Sequence, residues 1–187
     1  MKSFTKGKIV VTYHGIGKTT CAKNHDNVVD LEYGCFNIND ERSKDWYKVV
    51  AKLAVSLKRQ NKIVLLPCHR EIRNWLNENG TDFMVVTPCL ELKEQWLGRL
   101  KKRYEEDSSE HNLSVYKVAE IQYDEDVRSL MGEDNVKVVK DMDYELFDIL
   151  VYGVEHSLKK DVFSVFDNLV LTKNGFAKKA KPDNIIG

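Results

Sequence analysis

The sequence predicts an α/β protein with a five-stranded parallel sheet between two layers of helices. Five short apolar runs, rich in β-branched residues, alternate with segments whose apolar residues recur every three or four positions. Alternation of this kind is typical of parallel strands joined by crossover helices. The 187 residues suffice for one domain. We place it at residues 1–172, with a basic tail at 173–187.

The predicted strands are short and mostly apolar, and they end at glycine, proline or charged residues. They cover residues 8–13, 27–31, 62–67, 83–88 and 136–140. Runs of this length with few interior charges are typical of strands that are covered on both faces. We therefore expect all five strands to lie inside the protein.

Helices are predicted between these strands from the spacing of apolar residues. The first runs from 18 to about 23. The second carries an apolar stripe over 46–57, formed by Trp46, Val49, Val50, Leu53, Ala54 and Leu57. The third ends at Asn79–Gly80, a common stop signal. A longer helix carries Leu92, Trp96, Leu100 and Tyr104, and the polar stretch 105–112 separates it from a helix over 115–131. The last predicted helix covers 143–160.

The loops that follow the strands contain most of the chemically active side chains. In a parallel sheet all strands end at the same edge, and ligands of such folds bind there. This rule brings together residues 15–19, 30–32, 67–70 and 87–89, which are far apart in the sequence. We expect them to surround one cleft.

The turn after the first strand has the composition of a phosphate-binding loop. Glycines allow backbone conformations in which amides surround an anion, and the following helix N-terminus favours negative charge. A lysine then reaches the outer phosphates, and a threonine hydroxyl binds Mg²⁺. We predict that Thr19 is a Mg²⁺ ligand and that ATP is bound by Gly15, Ile16, Gly17, Lys18, Thr19 and Thr20.

One position of this loop departs from the full pattern GxxxxGK[ST]. Thr12 stands where the first glycine is expected. The alternative interpretation is an ordinary strand-to-helix turn with a surface lysine. His14, inside the loop, is either a phosphate or substrate contact or a plain loop residue.

On these residues the chain resembles the nucleotide-kinase branch of P-loop proteins. That branch includes nucleoside monophosphate kinases, shikimate kinases and polynucleotide kinases, and the chain is similar to small kinase-like proteins of bacterial viruses. The resemblance spans about residues 8–144 and is carried by GIGKTT at 15–20, DLE at 30–32, CHRE at 68–71 and WLGRLKKR at 96–103. It implies a three-layer P-loop NTPase fold with a helical lid at about 93–130.

The resemblance also implies roles for two acidic residues. Asp30 and Glu32 would face the metal and the acceptor, since alternate residues of an extended strand end point to the same side. Asp30 would hold Mg²⁺, and Glu32 would accept a proton from an attacking hydroxyl. The alternative is a solvated strand end.

Four basic residues complete the set that the resemblance implies. His69 and Arg70 would bind the acceptor after the third strand. Arg99 and Arg103 would neutralise charge on the moving phosphoryl group from the lid, and their four-residue spacing puts them on one helix face. A solvated basic face is the alternative for the lid arginines.

Together these residues predict an ATP- and Mg²⁺-dependent kinase, and the resemblance implies that its acceptor is a (deoxy)nucleoside monophosphate or a similar nucleotide. A first alternative is a kinase of a hydroxyl on nucleic acid or a modified nucleoside, such as a hydroxymethylated base in DNA. A second is a nucleotide-binding regulatory protein without catalysis. The 29 basic residues balance 29 acidic ones, which counts mildly against a polymer substrate.

Composition excludes several other classes of protein. The four cysteines contain no CxxC pair, so a zinc ribbon has little support. No apolar run reaches the roughly 20 residues of a membrane helix, and no secretion signal precedes the first strand. We therefore expect a cytoplasmic protein that does not enter a membrane, and the sequence leaves its oligomeric state open.

Overall fold

Parallel strands form the central sheet of the protein. The computed structural model describes residues 6–32, 37–38, 41–42, 44–152, 169–172 and 175–178. Its strands are β1 (Lys8–Thr12), β2 (Val28–Asp30), β3 (Asn37–Ile38), β4 (Glu41–Arg42), β5 (Ile63–Pro67), β6 (Met84–Pro88), β7 (Val136–Val139), β8 (Leu169–Thr172) and β9 (Gly175–Lys178). Its helices are α1 (Lys18–Asn24), α2 (Trp46–Arg59), α3 (Arg70–Glu78), α4 (Lys93–Glu106), α5 (Glu110–Met131) and α6 (Leu146–Tyr152), with a 3-10 turn at Leu90–Leu92.

The main sheet has the strand order β2-β5-β1-β6-β7, and every pairing in it is parallel. β1 is central: Val10 pairs with Leu65 on one side and with Met84 on the other. The chain therefore leaves β1 between two neighbouring strand ends. This is the type of crevice in which open α/β sheets bind ligands.

The strand order is compatible with helices on both faces of the sheet. Crossovers between parallel strands are right-handed, so a connection that moves left across the sheet and one that moves right put their helices on opposite faces. α1 lies in the connection from β1 to β2, and α2 lies in the connection that returns from β2 to β5. α1 contacts α6, whereas α2 contacts α3. The predicted α/β class with five parallel strands is confirmed, and the arrangement is compatible with three layers.

The core is built from the strands and from one face of each long helix. Every residue of β5 is buried. α5 buries Ala119, Tyr123, Val127 and Leu130, a spacing of four, four and three that follows the helical period. On α2 the predicted stripe is wrong at two positions. Val49 and Leu53 are exposed there, because the buried line runs through Trp46, Val50, Ala51 and Ala54.

The break between α4 and α5 is shorter than the polar stretch 105–112 predicts. Only residues 107–109 separate the helices. The Ser109 hydroxyl accepts a hydrogen bond from the Asn112 amide (3.3 Å), and Asn112 Nδ2 donates to the Asp107 carbonyl (2.9 Å). This helix cap lets α5 begin at Glu110, earlier than its apolar spacing suggests.

The end of the chain also differs in detail from the prediction. α6 begins at Leu146 rather than at residue 143, and positions 153–160 of the predicted helix lie outside the described residues. β8 and β9 pair antiparallel, with Thr172 opposite Gly175. This hairpin spans the predicted domain boundary at 172–173. Within the described residues, no helix has the length and apolar character of a membrane span.

Candidate functional site

The loop of residues 13–17 connects β1 to α1 at the carboxyl edge of the sheet. Gly15 and Gly17 have φ angles of 75° and 98°, while Ile16 between them is not among the positive-φ residues. Such alternation of backbone handedness turns successive N–H groups toward one side and forms an anion-binding concavity. Thr12, at the position of the expected first glycine, is the buried last residue of β1, and its hydroxyl donates to the Leu66 carbonyl (3.3 Å).

Lys18 is the first residue of α1, and only 9% of it is exposed. Among the described residues, no acceptor forms a hydrogen bond or ion pair with its ammonium group. A lysine so far removed from water is costly unless an anion pairs with it. The surrounding structure therefore favours a bound anion beside this side chain.

Thr19 and Asp30, beside the lysine, offer two oxygen atoms that could bind a metal ion. The Thr19 hydroxyl donates to Asp30 Oδ2 (2.9 Å), whereas Asp30 Oδ1 is buried without a hydrogen-bond partner in the described structure. Burial raises the pKa of Asp30, and the neighbouring Lys18 and Thr19 oppose that shift. An unpaired carboxylate oxygen next to a hydroxyl suits a hard cation such as Mg²⁺.

These two oxygens do not make a complete metal site by themselves. In the part of the chain that the structure describes, no group of three or more His, Cys, Asp or Glu residues is placed to hold a metal ion. Mg²⁺ commonly binds through one or two protein oxygens together with water and substrate phosphates. Thr19 and Asp30 fit that mode of binding.

A cavity of about 330 Å³ lies over the loop. It brings together residues from the loop, from the end of β2 and from α4. All six predicted ATP-binding residues line it, together with one predicted acid and both lid arginines. The lining is Gly15, Ile16, Gly17, Lys18, Thr19, Thr20, Glu32, Arg99, Leu100 and Arg103.

A second cavity of about 320 Å³ continues from the first. Both are lined by Ile16, Gly17, Thr20 and Arg99. The remaining walls come from the end of α1 and the segment after β7, namely Cys21, Asn24, His25, Tyr144, Glu145, Leu146 and Phe147. Apolar and aromatic walls with a few polar groups are typical of sites for flat organic rings.

Sequence reasoning missed this second cavity. Its signal was present, because Tyr144 follows the fifth strand of the sheet and so lies at the ligand-binding edge. The predicted cleft includes only the loops after the first four strands. His25 and Phe147 stack at 3.5 Å between ring centroids and close one end of the cavity.

A small cavity of about 40 Å³ adjoins the cavity over the loop, and both are lined by Gly15, Lys18, Glu32 and Arg103. Its lining combines basic residues with one carboxylate. It consists of Lys18, Arg103, His111, Glu32, His14, Gly15, Pro67 and Val115. Arg103 and Glu32 are exposed at its rim. The predicted acid and one predicted lid arginine therefore meet at this cavity.

His14 is a loop residue that packs inward. Burial, followed by the nearby Lys18 charge, lowers the pKa of His14 to about 3, so the imidazole is neutral at physiological pH. Its Nε2 lies 3.5 Å from Cys68 Sγ. Burial also raises the pKa of the Cys68 thiol to about 11, which leaves this pair uncharged and makes Cys68 a poor nucleophile.

Arg99 lies against the loop rather than extending free above it. Its Nη1 donates to the Tyr144 hydroxyl (2.7 Å) and to the Gly15 carbonyl (3.4 Å). Its guanidinium carbon lies 4.9 Å from the Trp96 ring centroid and 5.3 Å from that of Tyr144. A mobile lid arginine would have few such contacts, whereas Arg103, one turn further along α4, is exposed.

The two residues predicted to bind the acceptor lie apart from these three cavities. His69 packs edge-on against Trp46 at 5.1 Å, and exposed Arg70 begins α3. Neither lines any of the cavities described above. Arg73, on the same helix, is paired with Glu133 and Ser129 of the α5 end and serves the packing of α3.

Comparison with models of known protein families found no match, and a search of curated proteins found none at a significant level.

Proposed function

We propose that this chain is an ATP- and Mg²⁺-dependent phosphotransferase that moves the γ-phosphoryl group to a (deoxy)nucleoside monophosphate or similar nucleotide. The observation that carries the proposal is the nearly buried Lys18 at the start of α1, whose ammonium group forms no hydrogen bond or ion pair within the described residues. The loop amides and the helix N-terminus add to the positive potential there. A triphosphate satisfies all of these donors at once.

The residues have separate tasks in this proposal. Lys18 and the loop amides bind the outer phosphates, while Thr19 and Asp30 would hold Mg²⁺. The metal supplies charge neutralisation on the phosphate oxygens. The nucleoside occupies the 320 Å³ cavity, which joins the phosphate cavity along Ile16, Gly17 and Thr20.

In this proposal the phosphate group of the acceptor approaches the small cavity beyond Lys18, which at about 40 Å³ is too small for a whole nucleotide. Lys18, Arg103 and His111 line it, and their side chains suit the negative charge of a monophosphate. Arg103, exposed at the rim, would contact the phosphoryl group as it moves. His69 and Arg70 remain predictions for the outer part of the acceptor.

A second candidate function follows from Glu32. Its carboxylate lines the same small cavity as Lys18. A phosphate acceptor is already anionic and needs no base, whereas a hydroxyl gains from one. This residue favours a hydroxyl acceptor on nucleic acid or a modified nucleoside, such as a hydroxymethylated base in DNA.

Transfer of label from [γ-³²P]ATP tests both candidates. The purified protein is offered Mg²⁺ with deoxynucleoside monophosphates, nucleosides, plain DNA and hydroxymethylated DNA. Label on a monophosphate supports the first candidate, and label on DNA or a nucleoside supports the second. If ATP binds but no acceptor is labelled, the chain is a nucleotide-binding protein without catalysis, and both candidates are wrong.

Two variants sharpen this assay. Lys18→Ala should abolish transfer, whereas Lys23→Ala, an exposed lysine of the same helix, should leave it unchanged. Glu32→Gln should reduce transfer by about 10²-fold or more if the acceptor is a hydroxyl, since general-base catalysis has this magnitude. A loss below about threefold counts against a base at this position.

A further inference from the structure

Three side chains from outside the loop bond its successive carbonyl groups. Trp96 Nε1 donates to the His14 carbonyl (2.7 Å), Arg99 Nη1 to that of Gly15 (3.4 Å), and the Tyr144 hydroxyl to that of Ile16 (3.2 Å). The next carbonyl, of Gly17, accepts the first hydrogen bond of α1 from Cys21 (2.9 Å). All four carbonyl groups thus have a hydrogen-bond donor.

The direction of each carbonyl group determines the direction of the N–H group that follows it. In a planar trans peptide the C=O of one residue and the N–H of the next point in opposite directions. The carbonyls of His14, Gly15 and Ile16 face α4 and Tyr144, so the N–H groups of Gly15, Ile16 and Gly17 face away from them. Within the described residues these three amides donate to no protein group.

We propose that Trp96, Arg99 and Tyr144 are positioning residues that hold the loop amides of residues 15–17 ready for a polyphosphate. This inference rests on the proposed function, and it changes the role predicted for Arg99. A loop with two glycines has many alternative backbone conformations. External donors on each carbonyl oppose the peptide rotations that would turn the amides away before the ligand arrives.

The three donors also support one another. Trp96 and Tyr144 are stacked with an interplanar angle of 7°, and the Arg99 guanidinium contacts both rings. Trp96 is fully buried, and burial raises the pKa of Tyr144, which keeps its hydroxyl protonated as a donor. The cluster is therefore a fixed surface against which the loop is oriented.

The test is titration calorimetry in which inorganic tripolyphosphate is added to the protein in the presence of Mg²⁺. Tripolyphosphate contains no base or ribose, so its affinity reports on the phosphate contacts alone. Tyr144→Phe removes the hydroxyl and keeps the ring. We expect its Kd for tripolyphosphate to rise about three- to tenfold, as for the loss of one hydrogen bond of ordinary strength. Trp96→Phe, which removes a different donor to the same loop, should give a loss of the same order.

Tyr123→Phe is the matched control. Tyr123 is a buried tyrosine whose hydroxyl also donates to a backbone carbonyl, that of Cys89 (2.8 Å), outside the loop. Its variant should lower the thermal unfolding midpoint and leave the tripolyphosphate Kd unchanged. Equal losses of affinity in Tyr144→Phe and Tyr123→Phe would overturn the inference.

The outcomes also separate this inference from the function on which it rests. If the wild-type protein binds tripolyphosphate and both loop-contact variants bind it within twofold of wild type, the positioning role is wrong and the proposed function stands. If the wild-type protein binds neither tripolyphosphate nor ATP with Mg²⁺, the proposed function is wrong, and this inference with it.

Discussion

Replacing Gly15 by alanine tests how closely α4 packs on the loop. A Cβ at this position would lie 2.8 Å from Leu100 Cδ2 and 3.4 Å from Trp96 Nε1. Trp96 is fully buried, and Leu100 is 1% exposed and lines the cavity over the loop, so relief of the contact requires Leu100 to change its position or the loop to move. The substitution therefore adds a steric clash to the cost of alanine at a φ of +75°.

The magnitude follows from these two contributions. A non-glycine residue in the left-handed region costs roughly 1–2 kcal/mol, and overpacking a filled site costs about 1–3 kcal/mol. Gly15→Ala should lose about 2–5 kcal/mol of unfolding free energy by this sum. For a protein of this size each kcal/mol lowers the unfolding midpoint by about 2–4 °C.

Gly80→Ala is the matched control for the backbone contribution. Gly80 has a φ of +58°, and no heavy atom lies within 4 Å of a Cβ built there. It follows α3, away from the loop. Circular dichroism melts without ligand should show Gly15→Ala unfolding about 2–12 °C below Gly80→Ala, the share that belongs to the clash. Only Gly15→Ala should also weaken ATP binding. Equal midpoints for the two variants would refute the close packing of α4 on the loop.

Two further predictions concern the ion pair between α3 and the end of α5, and the buried histidine of the loop. Arg73 and Glu133 form an ion pair whose side chains are 7% and 16% exposed. Arg73→Met leaves the carboxylate without its cationic partner and should cost about 3–5 kcal/mol in urea unfolding. Asp45→Asn breaks the exposed ion pair between Asp45 and Lys48 and should cost much less. Equal losses would contradict a structural role for the Arg73–Glu133 pair. The pKa of His14 is about 3 in the folded protein and about 6.5 in the unfolded chain. The unfolded chain therefore takes up a proton first as the pH falls. The free energy of unfolding should decrease as the pH drops from about 6.5 toward 3. His14→Gln should reduce this slope in urea titrations at several pH values, whereas His111→Gln, at an exposed residue, should retain it.

The sequence alone determined the class of the fold and the edge of the sheet at which the site lies. Apolar runs and helical periodicity are local patterns, because burial selects side chains at the period of each element. The glycines at 15 and 17 and the lysine after them predicted the loop conformation for the same local reason. All six predicted ATP-binding residues line one cavity with Glu32 and the lid arginines.

Local pattern did not reveal which of several equivalent basic residues would enter the site. Arg70 and Arg73 are three apart on α3, yet one is exposed and the other is paired with Glu133. Arg99 and Arg103 share a face of α4, yet one contacts the loop carbonyls and the other lies at the cavity rim. These differences depend on which element packs beside each side chain.

Only the tertiary structure decided how the loop is held. Trp96 reaches a carbonyl 82 residues earlier in the chain, and Tyr144 reaches one 128 residues earlier. Contacts over such separations arise from the packing of whole elements, so no window of sequence contains both partners. The residues therefore specified a glycine-containing loop before α1, while the packing of α4 and of the segment after β7 set the direction of its carbonyl groups.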